Sequence, residues 1–342
     1  MKVTIGDSEI GEGYPAYIIA EVGSNLNGDI VQAKRLIDVA ASSGADAVKF
    51  QIFKADQLYS HFTPEFSYLK GQDTYQLMER LETPRQWIRE LASHCREKEI
   101  DFLATPFDFD AVNLLEPHVP AYKISSFEIG DHELIRHAAL KQKPVILSTG
   151  MASLGEIEDA IHTIQSAGNE DIILLHCTSL YPAPVHQVNL RAIRTLAHAF
   201  FRPVGFSDHT TGIHVPLAAI GIGACVLEKH ITLSRKMTGP DHAFAIEPGE
   251  LAEMIRNIRD VESAMGTGIK QRCQSESEEM YLKARRSIHA GVDIPRATAI
   301  TRDMLVVKRP GYGIAPKNIS LVVGRKARLD IHRDQWIVWD MI

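Results

Sequence analysis

From Ala16 onward, short apolar runs rich in β-branched residues alternate with stretches of helical period, the pattern of βα units that feed a parallel sheet. Eight such runs occur: AYIIAEV (16–22), DAVKFQI (46–52), DFLATPF (101–107), AYKISSF (121–127), PVILSTG (144–150), IILLHCT (172–178), PVGFSDH (203–209) and CVLEKHI (225–231). Between them lie amphipathic stretches. In DIVQAKRLIDVAASSG the spacing places Val31, Ile37 and Ala41 near one face, and Gly44 can end the helix. In PGELAEMIRNIRDVESAMG, Pro248 stands near the start, Leu251, Ile255, Ile258 and Val261 form the buried stripe, and Gly266 is the stop. Eight repeats over about 250 residues predict a (β/α)₈ TIM barrel, since a doubly wound sheet usually needs fewer strands.

The first residues, KVTIGDSEIGEG, read as a two-stranded hairpin able to plug one mouth of the barrel. After Gly266 the rhythm stops. Residues 267–283 are polar and predict a linker or an irregular crossover, and 284–342 hold short β-like runs broken by Pro and Gly. The predicted organisation is therefore a barrel over 1–266, a linker over 267–283 and a small domain of strands and turns over 284–342.

Polar residues gather at the C-terminal ends of the eight runs: Glu21, Lys49 with Gln51, Thr105, Ser126 with Glu128, Ser148, Thr178, Ser207 with His209, and Glu228 with His230. That end of a barrel carries the catalytic groups. In an extended strand alternate residues face the same way, which pairs Ser207 with His209, Glu228 with His230, Lys49 with Gln51 and Ser126 with Glu128. Thr105, Ser126 and Ser148 together with Lys49 offer donors and one positive charge to a phosphate or carboxylate. The alternative is that these hydroxyls satisfy strand-end backbone groups. His209 and His230 end neighbouring strands, as metal ligands, as acid–base groups or as buried hydrogen-bonded histidines. Glu21, beside the turn GSNLNGD, is either a base or an acceptor for backbone N–H groups. No GxGxxG follows a strand, and LSTGM is not a GxSxG elbow, so neither dinucleotide binding nor acyl transfer is indicated.

Composition narrows the partner. The 342 residues carry 37 Lys and Arg against 43 Asp and Glu, so no basic excess attracts nucleic acid or an anionic membrane. A small-molecule substrate is expected. The four cysteines, Cys95, Cys177, Cys225 and Cys273, lack ligand spacing and predict reduced structural thiols. No apolar leader opens the sequence and no run is long enough to span a bilayer, which predicts a cytoplasmic protein.

Ten phrases then occur in order: IIAEVGSN (18–25), VKFQ (48–51), ATPFD (104–108), YKISSFE (122–128), ILSTGM (146–151), LLHCTSLYP (174–182), GFSDHT (205–210), LEKHIT (227–232), GPDH (239–242) and KRPGYGI (308–314). Together they resemble, over essentially the whole chain, the sialic acid synthase family, which includes legionaminate and pseudaminate synthases. The resemblance implies a (β/α)₈ barrel followed by a small antifreeze-like (SAF-type) domain. The implied reaction condenses phosphoenolpyruvate with an N-acetylated amino-hexose and water, by C–O cleavage, to a nine-carbon sugar and phosphate. N-acetylmannosamine is the first acceptor expected, giving N-acetylneuraminate. The alternatives are N,N'-diacetyllegionaminate or pseudaminate synthesis, with GPDHAF and KRPGYGI closer to the neuraminate and legionaminate branches than to pseudaminate. More distant alternatives are a metal-dependent sugar isomerase or aldolase, or a carbohydrate-binding module.

By the same resemblance, His209 and His230 hold a divalent metal, Mn²⁺ with Mg²⁺ or Co²⁺ as alternatives. Lys49, Thr105, Lys123, Ser126, Ser148, Ser179 and Ser207 hold phosphoenolpyruvate, and Glu21 and Glu128 are the acid–base candidates. Gln51, Tyr181 and Asp241 contact the amino sugar, while Arg309 reaches its N-acetyl group from the partner subunit of a domain-swapped homodimer. Two positions depart from the family pattern. Asn25-Leu26 stands where relatives read Asn-His, and Lys283 stands near the place where some carry an aromatic residue.

Overall fold

Eight parallel strands close into a barrel in the computed structural model of the chain, which describes residues 1–64, 73–270 and 279–342. The chain divides into two units, Met1–Gly266 and Thr267–Ile342. In the first, an antiparallel hairpin of β1 (Lys2–Ile5) and β2 (Ser8–Gly11) precedes the barrel. The barrel strands are β3 (Tyr17–Glu21), β4 (Ala47–Ile52), β5 (Asp101–Pro106), β6 (Tyr122–Ile124), β7 (Val145–Ser148), β8 (Ile172–Cys177), β9 (Val204–Asp208) and β10 (Val226–His230). They follow chain order around the barrel, and β10 closes on β3.

One long helix follows each strand: α1 (Ile30–Ser42), α2 (Ile88–Glu97), α3 (Phe109–Leu115), α4 (His132–Ala139), α5 (Leu154–Ser166), α6 (Ala192–Phe200), α7 (His214–Gly221) and α8 (Pro248–Met265). The connection from β4 to α2 also holds short helices at Ala55–Leu58 and Thr74–Leu81. The main apolar core lies between strands and helices.

On α1 the buried residues are Ala33, Leu36, Ile37 and Ala40, whereas Val31, which the spacing places near one face with Ile37 and Ala41, is 54% exposed. The Asp29 carboxylate caps the helix on the Val31 N–H, so Val31 falls in the first turn and the packed stripe begins after it. Gly44 follows this helix at φ +84, in the left-handed region that suits glycine there. On α8, Leu251, Ile255 and Ile258 are buried as expected, Met254 joins them, and Val261 is partly buried against the same core.

A second correction concerns AYKISSF. The strand stops at Ile124, and Ser126–Glu128 form a 3₁₀ turn because the Ser125 side chain accepts the Phe127 N–H. Ser126 and Glu128 therefore do not share a strand face.

Inside the barrel, polarity changes along the axis. Tyr17, Ile19, Ala47, Leu103, Ala121, Ile146, Ile173, Leu175 and Val226 cluster with Val3, Ile5 and Ile10 of the hairpin. The hairpin thus closes the N-terminal end, each of its three apolar side chains contributing at most about 1.5–3 kcal/mol of burial. The other end is left to charged and hydroxyl-bearing residues.

In the second unit, β11 (Ser287–Ala290) pairs antiparallel with β12 (Leu305–Lys308) over its own core of Ile288, Ile294, Ile300, Leu305, Ile314, Val322, Ile331 and Ile337. A helix at Glu279–Ala284 spans the last residues of the stretch whose polarity predicts a linker and the first residue of the predicted small domain. Its Lys283–Glu279 pair, at 2.8 Å, joins residues one turn apart, and the Arg285 guanidinium stacks 4.2 Å from the Tyr281 ring. Cys95, Cys177 and Cys225 are buried free thiols, and burial pushes those of Cys95 and Cys225 up to about 12. Cys273 and linker residues 271–278 lie outside the described residues. Among those described, no helix is long and apolar enough to cross a membrane.

Candidate active site

Register brings the polar strand ends side by side. Glu21 lies between His230 and Lys49, and Ser207 between Glu228 and Cys177. The Lys49 ammonium stands 2.7 Å from Glu21 Oε2 and 3.7 Å from Glu228 Oε2, and donates to Thr105 Oγ1 at 3.2 Å. Lys123 faces the other Glu228 oxygen at 3.7 Å, which also accepts from Ser207 Oγ at 3.1 Å. Gln51 donates to Glu21 Oε1 at 2.8 Å. Two lysines and two carboxylates thus share one buried cluster.

The two lysines respond oppositely to burial. For Lys49 desolvation disfavours the charge, but Glu21 and Glu228 overcome it and hold the pKa above its ordinary value. For Lys123 desolvation wins against the nearer carboxylate, and the pKa is lowered. Burial pushes Glu228 upward, yet Lys123, Lys49 and His230 outweigh it and keep the carboxyl below the usual range.

Beside this cluster the hydroxyls converge on Gly150. Its N–H donates to Ser126 Oγ at 2.9 Å, and Ser126 Oγ lies 3.0 Å from Cys177 Sγ. A Cβ on Gly150 would meet Ser179 Oγ at 2.3 Å, Ser126 Oγ at 2.8 Å and Cys177 Sγ at 3.0 Å. The hydroxyl oxygens of Ser148 and Ser179 are buried without a hydrogen-bond partner. Unsatisfied donors of that kind suit an incoming anion. Glu128 stands on the turn after β6, bonded to Ser125, with its pKa raised by burial against the pull of Ser125 and Lys123.

The two histidines form a third group. Their ring centroids are 5.5 Å apart in an edge-to-face arrangement. His209 Nδ1 lies 2.8 Å from the Thr178 carbonyl, which assigns the proton to that nitrogen and leaves Nε2 with a free lone pair. Burial, reinforced by His230, pushes the His209 pKa down to about 3, so the ring is neutral at pH 7. His230 Nδ1 is buried without a hydrogen-bond partner and stands 3.8 Å from Asp241 Oδ2. Two imidazoles, each with a nitrogen that no hydrogen bond uses, fit a divalent transition metal. Among the described residues no group of three or more His, Cys, Asp or Glu side chains converges as a metal site, so water or substrate oxygens would complete such a shell.

Tyr181 packs on His209 at 4.2 Å and on Phe244 at 5.5 Å between centroids, with part of its ring exposed. Asp241 accepts from the Ser24 N–H at 3.0 Å and from its hydroxyl at 2.8 Å. Gly23, at φ +53, leaves room there, since a Cβ would meet Asp241 Oδ2 at 2.7 Å. Leu26 is buried in the core beneath the helices, and Asn25 Nδ2 ties the loop to the Ile231 carbonyl at 2.8 Å. Arg309 belongs to the second unit, where it is exposed just after β12.

Glu228 was legible as a strand-end carboxylate on the face of His230, but spacing does not announce its place between two lysines. Gly150 and Cys177 fall inside the phrases ILSTGM and LLHCTSLYP, but spacing does not announce their part, because it depends on side chains from the ends of β6 and β8 meeting at the end of β7.

A closed parallel barrel whose C-terminal mouth gathers lysines, carboxylates, unpartnered hydroxyls and two histidines defines a barrel enzyme. Residues 36–270 match the NeuB family and residues 285–342 match the SAF domain. The chain is 42% identical over 94% of its length to N,N'-diacetyllegionaminic acid synthase of Campylobacter jejuni, covering 98% of that protein. It is 39% identical to the synthase of the same name from Legionella pneumophila, over 97% of this chain and 96% of that protein. The crystal structure of N-acetylneuraminic acid (sialic acid) synthetase from Leptospira borgpetersenii aligns with a TM-score of 0.75 at 36% identity, covering 82% of this chain and 95% of that one. The chain belongs to the NeuB, or sialic acid synthase, family. Membership makes it an enzyme of the phosphoenolpyruvate-dependent synthase class.

Proposed function

We propose that this chain is an N,N'-diacetyllegionaminate synthase, joining phosphoenolpyruvate to the 4-acetamido-6-deoxy relative of N-acetylmannosamine. The observation that carries the acceptor is that the relatives at 42% and 39% identity, each matched over nearly its whole length, both bear that name. N-acetylmannosamine, the first expectation from sequence, becomes the secondary acceptor.

Lys49 and Lys123 offer two buried ammonium groups to the phosphate and carboxylate of phosphoenolpyruvate. Thr105, Ser126, Ser148, Ser179 and Ser207 surround them with hydroxyl donors, of which Ser148 and Ser179 gain the partners they lack. Gln51, Tyr181 and Asp241 receive the amino sugar near the histidines. C3 of phosphoenolpyruvate bonds to the aldehyde carbon, whose oxygen ends as a hydroxyl. Water adds at C2, one of its protons passing by way of Glu21 or Glu128 to the former aldehyde oxygen, and the C2–O bond to phosphate then breaks with the electron pair leaving on phosphate, which takes the second water proton as C2 becomes the ketone. His209 and His230 would hold a divalent metal, Mn²⁺ by preference, which supplies Lewis acidity toward the aldehyde oxygen. The loops at the barrel mouth leave Phe127, Met151, Leu180 and Val185 exposed, an apolar rim that a second copy can cover. In that swapped homodimer Arg309 reaches the N-acetyl group of the partner's sugar.

Phosphate release with phosphoenolpyruvate, Mn²⁺ and each acceptor tests this reading. A higher kcat/KM for the 4-acetamido-6-deoxy sugar is expected, and a preference for N-acetylmannosamine would return the chain to the neuraminate branch.

A further inference from the structure

Behind the two histidines lies a buried ion pair that no step of the reaction uses. Lys229 and Asp208 stand opposite each other on β10 and β9, and both are buried. Glu228 and His230 face the barrel interior, so alternation turns Lys229 to the helix side, and Asp208, between Ser207 and His209, turns the same way. The Lys229 ammonium donates to Asp208 Oδ2 and, at 2.8 Å, to the Thr210 carbonyl. Asp208 Oδ1 in turn accepts the Thr210 N–H at 2.9 Å. These bonds close a ring around the His209 backbone. The residue before His209 and the residue after it are both tied to the residue that precedes His230.

A buried ion pair is a weak source of stability, because removing both charges from water offsets most of their attraction. Its place here suggests a different service. His230 Nδ1 has no hydrogen-bond partner, and the His209 ring is held by the Thr178 carbonyl and by Tyr181 while Phe244 packs on His230, so each ring is steadied by different neighbours and their placement relative to each other depends also on how the β9 and β10 backbones are joined. We propose that the Asp208–Lys229 pair is the positioning device that fixes His209 and His230 relative to each other, and thereby sets the affinity for a divalent metal. This rests on the reading of the two histidines as metal ligands. Neither Asp208 nor Lys229 is proposed to touch substrate.

The test uses the full chain carrying Asp208→Asn with Lys229→Met, which removes both charges at nearly constant volume. Three quantities are compared with the wild type: Mn²⁺ affinity by calorimetry, phosphoenolpyruvate affinity without metal, and the histidine geometry in metal-free crystals. The expected result is a stable protein with Mn²⁺ affinity weakened about 10–100-fold, the range typical of lost support behind metal ligands, and unchanged phosphoenolpyruvate affinity. The histidine rings should depart from their 5.5 Å separation. Unchanged Mn²⁺ affinity would overturn the proposal. If the wild type itself binds no Mn²⁺, the metal reading fails, and the crystals decide the positioning role: identical histidine placement in both proteins overturns it, altered placement upholds it. Should the double variant not fold, Asp208→Asn alone keeps one acceptor oxygen, for either the Lys229 ammonium or the Thr210 N–H but not both, and is read by the same measurements, a loss of affinity or a ring displacement supporting the proposal and wild-type values in both refuting it.

Discussion

The Lys49 ammonium lies 2.7 Å from Glu21 Oε2, with both side chains buried at the mouth of the barrel. The pair is one edge of a cluster in which Glu228 bridges Lys49 and Lys123. Lys49→Met should abolish detectable phosphoenolpyruvate binding by calorimetry and also lower the Tm, since breaking a buried pair from one side costs about 3–5 kcal/mol. Wild-type affinity for phosphoenolpyruvate in this variant would remove Lys49 from the anion site.

Gly150 gives a more selective probe. A methyl group there collides first with Ser179, Ser126 and Cys177, on the anion side of the site. Gly150→Ala should raise the KM for phosphoenolpyruvate about 10²-fold, the scale of a 1 Å misplacement, and leave the KM for the sugar nearly unchanged. Equal increases in both would show general disruption of the barrel mouth.

Glu128 yields a pH-dependent prediction. Burial raises its folded-state pKa above the unfolded value, so the wild type is relatively favoured below the unfolded pKa and loses that contribution as pH rises through the folded pKa. Glu128→Gln should therefore raise the Tm at pH 7 while lowering kcat, and the gain in Tm should vanish as the pH falls below the ordinary carboxyl range. A destabilised variant at pH 7 would contradict the assignment of burial as the dominant cause.

Arg309 is exposed in the second unit, and the function proposed above gives it the acceptor sugar of a partner subunit. Because a guanidinium on the N-acetyl group serves the sugar, Arg309→Ala should raise the sugar KM roughly tenfold, a loss of about 1.4 kcal/mol, with little change for phosphoenolpyruvate. An unchanged sugar KM would exclude it from the site.

The barrel was legible because each strand is a near-continuous apolar run, and the change to polar residues at the strand ends marks which mouth is chemical. Alternation placed Glu228 with His230 and Ser207 with His209, and register then sets Glu228 beside Ser207. It failed at Ser126 and Glu128, where a local bond from the Phe127 N–H to the Ser125 side chain turns the strand into a 3₁₀ turn. Val31 failed for a similar reason: its period is helical, but the cap at Asp29 sets which turn packs. The convergence of Ser126, Cys177 and Ser179 on Gly150 was not legible, because it depends on three-dimensional approach across strands rather than on spacing along one.

The central claim is condensation of phosphoenolpyruvate with C–O cleavage, and the fate of the bridging oxygen tests it most directly. Phosphoenolpyruvate labelled at the C2–O–P oxygen should be incubated with the enzyme, Mn²⁺ and the 4-acetamido-6-deoxy acceptor, and both products weighed by mass spectrometry. The account predicts all of the label in inorganic phosphate and an unlabelled nine-carbon sugar. Label retained in the sugar, or no phosphate release with any acceptor, would contradict it.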